Sequence, residues 1–106
     1  DQNGYAYCLS RIGEIYSKEK QYDKAVDNFS RALKNFEKTQ TDNINNTLHQ
    51  LSNVYLLMSK SNSKNKEKYS ALSSKTLKQI SQKPEQYSQS VDELNALLQG
   101  AITDTA

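Results

Sequence analysis

Few side chains in this chain of 106 residues could do covalent chemistry, and they do not sit together. The one histidine, His49, has no cysteine beside it in sequence, and the one cysteine, Cys8, stands between Tyr7 and Leu9. A zinc site needs three or four ligands at short, regular spacings, and an activated nucleophile needs a base within reach. No HExxH pair and no glycine-rich phosphate loop occurs. The expectation is therefore no enzyme, no metal and no cofactor. A single cysteine also excludes an internal disulfide framework and fits a reducing compartment, here the cytoplasm, with Cys8 as a small half-buried helix residue.

The remaining chemistry is that of charge. Net charge is +2, but its distribution is uneven. Residues 1–59 carry seven basic and seven acidic side chains, residues 60–83 seven basic and one acidic, and residues 84–106 four acidic and none basic. Lys64, Lys66, Lys68, Lys75 and Lys78 could contact an anionic partner, with steeply salt-dependent binding. Tyr69 is the one aromatic in that segment, whereas nucleic-acid surfaces interleave more. The segment reads better as solvated helix faces attracted to the acidic one, which argues against nucleic acid. No apolar run approaches the roughly 18 residues a membrane span needs.

Elements that would position these groups follow from spacing. Proline occurs once, at Pro84, and glycine only at Gly4, Gly13 and Gly100. Helical periodicity predicts an all-α fold of about five helices. Tyr5, Leu9, Ile12 and Tyr16, with Cys8 and Ile15 alongside, predict the apolar stripe of a first helix ending near Glu19. Lys20-Gln21 then links it to a second stripe of Ala25, Val26, Phe29, Ala32, Leu33 and Phe36, giving an antiparallel pair. Thr41 or Asp42 can cap a third helix carrying Ile44, Leu48, Leu51, Val54, Tyr55 and Met58. "SKSNSKNKEK" over Ser59 to Lys68 predicts a loop, after which Tyr69, Leu72, Thr76, Leu77 and Ile80 resume a weaker stripe. Pro84 suits the first turn of a last helix with Tyr87, Val91, Leu94 and Leu98 on its apolar face, and Gly100 its end.

The pair contains a longer signature. Leu9-x2-Ile12-Gly13-x2-Tyr16, then Tyr22, then Ala25-x3-Phe29-x2-Ala32 resembles the tetratricopeptide repeat (TPR) over about residues 6–39. Leu9 stands where tryptophan is common and Glu37 near where a proline often closes the repeat. Leu48-x2-Leu51-Ser52-x2-Tyr55 repeats the first half. Gly13 to Ser52 is 39 residues against the family's roughly 34, which predicts a lengthened connection around Thr39 to Asn46. The second repeat, about 45–82, is degenerate, with Ser73 and Leu77 as its weak counterparts of the alanine-phenylalanine pair. Residues 84–99 then form a C-terminal capping helix or the start of a third repeat. The chain reads as one TPR-like domain, and its start at Asp1 as an excised piece of a longer chain. Physically, two helices cross closely where side chains are small, and Gly13, Ala25 and Ala32 are such positions, with Tyr16, Tyr22 and Phe29 filling the space around them.

The resemblance implies a function on the residues this packing leaves outward. In TPR stacks the first helix of each repeat lines a concave groove, here Tyr7, Ser10, Arg11, Glu14, Ser17 and Lys18, then His49, Gln50, Asn53, Leu56 and Leu57. Asn53 can donate to and accept from a peptide backbone whatever its sequence, and Arg11 and Lys18 could hold a carboxylate. Ser10 and Glu14 stand where the chaperone-binding subclass puts lysine and asparagine, so that ligand is not expected. The resemblance implies a non-catalytic scaffold or adaptor for a protein or peptide. Its alternatives are a peptide-sensing module, similar to those of Gram-positive bacterial regulators, and a segment that packs on further repeats or a second copy as a homo-oligomer.

Overall fold

Asp1 can begin a helix because its carboxylate reaches amides that helical bonding leaves free. In the computed structural model, which describes residues 1–80, its Oδ1 accepts from the Asn3 N–H at 2.7 Å and the Gly4 N–H at 3.1 Å. Helix α1 follows over Gln2–Lys18. It ends in a Schellman turn, the Gln21 N–H donating to the Tyr16 carbonyl at 2.9 Å and the Lys20 N–H to that of Ser17 at 3.0 Å. Lys20 takes a left-handed φ of 62° there, a position that glycine fills at less cost. Helix α2, Tyr22–Asn35, runs back along α1.

The two helices meet at Gly13. A Cβ on that residue would lie 2.7 Å from Phe29 Cε1 and 2.8 Å from Cδ1, so the ring occupies the space a side chain would need. Phe29, Ala25 and Ala32 are fully buried. The close crossing turns α1 about its axis relative to the apolar stripe expected above. The face it buries is Ala6, Leu9, Ser10 and Gly13, while Tyr5, Ile12 and Ile15 are 48%, 41% and 56% exposed and Cys8 is exposed. The small residues, not the large ones, face α2, because only they admit Phe29.

Helix α3, Thr41–Ser61, takes in both expected caps, Thr41 and Asp42, its N-cap lying one residue before them. Gln40 is its N-cap without a side-chain bond to the helix amides, and Asn43 Nδ2 donates to Gln40 Oε1 at 3.0 Å across the first turn. Gly13 and Ser52 lie equally far from the first residues of their helices. The added length is therefore the connection Phe36 to Gln40, and Thr41 to Asn46 is helical. The expected loop at Ser59 to Lys68 is largely helix. Ser59 and Ser61 turn their hydroxyls onto the carbonyls of Leu56 (2.7 Å) and Met58 (3.3 Å). A 3-10 turn, Ser63–Asn65, follows, its Asn65 N–H donating to Asn62 Oδ1 at 3.2 Å, and α4 then spans Lys66–Gln79. Local side chain to backbone bonding absorbs the polarity that made this stretch resemble a loop.

Helix α4 packs along α3 as α2 does along α1, and α3 also packs on α2. Tyr69, Ser73 and Thr76 are buried and repeat the spacing of Ala25, Phe29 and Ala32. Ser73 takes the place of Phe29 and its Oγ donates to the Ser52 carbonyl at 2.8 Å, so a hydrogen bond stands where the first hairpin has a ring against a glycine. Leu77, expected on the stripe, is 47% exposed. Among the described residues there are thus four α-helices, all antiparallel-hairpin in arrangement, around one apolar core centred on Phe29, Ile44, Leu48, Leu51 and Tyr55. The expected helix over 84–99, with Pro84 and Gly100, lies outside the described residues.

Candidate functional site

Helix α1 meets α3 at the hydroxyls of Ser10 and Thr47, 3.1 Å apart and buried. Ser10 is therefore a contact between helices and not a groove residue. Beyond it on α1, Tyr7, Arg11, Glu14 and Lys18, spaced four, three and four, share one helix face. Tyr7 is 51% exposed, and Arg11 Nη1 pairs with Glu14 Oε2 at 3.2 Å. That ion pair is exposed and adds little stability, but it orients the guanidinium and leaves further N–H donors for a ligand.

On α3 the same register positions, 39 residues on, are Asn46, Gln50, Asn53 and Leu57. Gln50 is half-buried and Asn53 exposed. Gln50 and Asn53 are thus the counterparts of Arg11 and Glu14. His49 is the counterpart of Ser10, and it lies exposed on the side of α3 where the first hairpin meets its neighbour. Of the candidate set, six residues share a repeated face and His49 stands to one side. Asn46, the counterpart of Tyr7, was missed, although the 39-residue spacing alone would have found it.

Two tyrosine hydroxyls sit close to the core, and neither is set up as an acid. Burial pushes the Tyr55 phenol well above its ordinary value of 10.0, and the neighbouring Tyr69 adds to the shift. Tyr69 is raised by burial and by the charge of Asp23, against a lowering by Lys68. Both stay protonated when folded, while in the unfolded chain they ionise near pH 10. Their contribution to stability is present in full below pH 10 and is lost as pH rises above it. Unfolding in denaturant is expected to show stability falling above about pH 10, with a shallower fall in Tyr55→Phe; equal slopes in the two proteins would contradict the assignment.

A second face is apolar. Tyr5, Cys8, Ile12 and Ile15 on α1 occupy the register of Ile44, Thr47, Leu51 and Val54 on α3, which are 1–2% exposed. On α1 nothing covers them among the described residues. Arg31 Nη2 donates to the Tyr5 hydroxyl at 2.9 Å, and the Lys24 ammonium lies 5.5 Å from the centre of the Tyr16 ring, so charged groups of α2 border the stripe. Among the described residues no group of three histidines, cysteines or carboxylates gathers that could hold a metal ion, and no helix is long and apolar enough to cross a membrane.

Two stacked helix hairpins with a repeated outward face define an α-helical repeat module. Compared with known families, residues 6–38 match the tetratricopeptide repeat, and this segment of the chain, α1 with α2, is a repeat of that family. No curated protein and no solved structure matches the chain. Repeats of this family serve as scaffolds for protein–protein interaction and are in general non-catalytic.

Proposed function

We propose that this chain is a non-catalytic adaptor whose α1–α3 face receives an extended peptide segment of a partner protein in the cytoplasm. The observation that supports this reading is the repetition of Arg11 and Glu14 by Gln50 and Asn53 on adjacent first helices. A repeated polar face offers donors and acceptors at a repeated interval, which suits an extended backbone. Tyr7 and Leu57 at its edges supply apolar contact, and Arg11 and Lys18 favour a carboxylate on the ligand. His49 enters this proposal only as a neighbour at the far edge of α3.

Selection from a displayed peptide library is the direct test. Asn53→Ala is expected to weaken all selected peptides about tenfold, whatever their side chains, since it removes hydrogen bonds to backbone, with the helical signal unchanged. A library that returns no binder, or binders indifferent to Asn53, would sink the peptide reading.

The exposed row Tyr5, Ile12 and Ile15 favours a second reading, in which this face packs on a further repeat or on a second copy of the chain. The two readings use different faces and are compatible. Light scattering of the isolated chain separates a monomer from a dimer, and an Ile15→Lys variant that abolishes the dimer would assign the contact to this row.

A further inference from the structure

We propose that the turn end of the molecule carries a separate binding site, a cleft between the two hairpins that takes a carboxylate beside an apolar side chain on a protein segment. The cleft measures about 830 Å³ and is bounded by the α1–α2 turn on one side and by the α3–α4 turn on the other. Its volume falls within the range of small-ligand pockets, roughly 300–1,000 Å³. Both repeats build it, so it exists only in the assembled fold.

Its chemistry divides into a rim and a floor. Lys20, Lys24 and Lys64 stand on the rim with Asp23 as the one acidic residue there. The half-buried Tyr22 supplies apolar surface to the floor, with Met58 and Tyr69, 6% and 4% exposed, closing it off. Lys20 and Lys64, one from each hairpin, border a partly enclosed, partly apolar surface and outnumber Asp23, which favours a negative charge, while the Lys24 ammonium lies over the Tyr16 ring. The first turn of α2 borders the same space and takes no side-chain cap, which adds a positive helix end.

The details favour a peptide over a nucleic acid. No arginine lines the cleft, so nothing forks onto a phosphate as guanidinium does. Asp23 would repel a run of phosphodiesters, but it can accept from a peptide N–H. A carboxylate with an aliphatic neighbour uses the lysines, the floor and Asp23 together.

The backbone supplies an independent sign. Lys20 holds a left-handed φ of 62° in a Schellman turn where glycine fits at less cost. Conformational strain held at one residue points to a use for its side chain. Here the residue is Lys20, which lines the cleft at that turn.

That gives a test in which folding and binding move in opposite directions. With the 106-residue chain, fluorescence polarisation is measured on a short fluorescein-labelled peptide of alternating glutamate and leucine. Binding is expected, with about a tenfold loss in Lys20→Gly plus Lys64→Gln. Lys20→Gly alone is expected to weaken binding while unfolding at a temperature no lower than the parent's, so that the loss is not one of structure. Lys34→Gln, which removes a charge elsewhere on α2, should leave affinity as it was. No binding, equal binding of the glutamine–leucine peptide, or indifference to the double substitution would overturn the proposal. Single-stranded RNA that displaces the peptide at equal concentration would overturn it in favour of nucleic acid.

Discussion

Gly13→Ala is expected to destabilise the fold by about 1–2 kcal/mol, although alanine is the better helix former by roughly 1 kcal/mol. The added methyl would sit 2.7–3.0 Å from three carbons of the Phe29 ring. That ring is fully buried and flanked by Ala25 and Ala32 on its own helix, so it has no open direction in which to give way. Overpacking a tight core typically costs about 1–3 kcal/mol, which exceeds the gain in propensity. Gly13→Leu should cost more still and is expected to unfold the first hairpin. The cause can be isolated. Phe29→Leu opens room at the crossing, so Gly13→Ala made in that background should cost less than it does alone. Chemical denaturation of the four proteins gives the coupling directly. Additive costs would mean that the crossing is loose and that Gly13 is merely tolerated.

Leu51→Asp and Ile12→Asp place the same charge at the same repeat position, and they are expected to part widely. Leu51 is 1% exposed within the seam between the hairpins. An unpaired carboxylate there loses apolar burial and is itself desolvated, for a cost of about 4 kcal/mol or more. For a domain this small that is most of its stability. Ile12 is 41% exposed, and its carboxylate would remain in water, so the expected cost is within about 1 kcal/mol. Circular dichroism melts of both variants decide the matter. A large loss at Ile12 would show that the α1 stripe is covered in solution, and light scattering of the same protein would then say whether a second copy covers it.

Much of the first hairpin was legible in the sequence because one packing event dictates several residues at once. A glycine, two alanines and a phenylalanine at fixed spacing are hard to satisfy except by a close helix crossing. The second hairpin was less legible because it solves the same problem with other chemistry. Ser52 and Ser73 are small enough for the approach and bond across it, yet serines are so common in this chain that neither stands out. The misread face of α1 has a simpler origin. Tyr5, Ile12 and Ile15 are apolar, and periodicity reports where apolar residues lie, not whether another element is there to cover them. Polarity misled in the opposite sense at Ser59 to Lys68, where hydroxyls bonded to the preceding turn leave helix in place of the expected loop.

The candidate face shows the same division. Its residues could be enumerated once a repeat was suspected, and Asn53 and Gln50 do hold the register of Glu14 and Arg11. What spacing could not supply was the direction of the neighbouring helix, which removes Ser10 from the groove and leaves His49 at its margin. The turn-end cleft was invisible for a related reason. Lys20 and Lys64 are far apart in sequence and belong to segments whose meeting depends on how one hairpin sits against the next.

The Asn3 side chain, placed by the Asp1 cap at the head of α1, accepts from the Glu37 N–H at 3.0 Å. This bond clasps the start of α1 to the exit of α2, at the end opposite the Schellman turn. Helix ends in small domains normally fray one by one, each at little cost. Here the first turn of α1 and the last of α2 share a fastening, so the hairpin opens at that end as a unit and its two termini lose protection from solvent together. Trimming the first three residues would remove the Asp1 cap and this bond together, loosening the last turn of α2 as well as the first of α1.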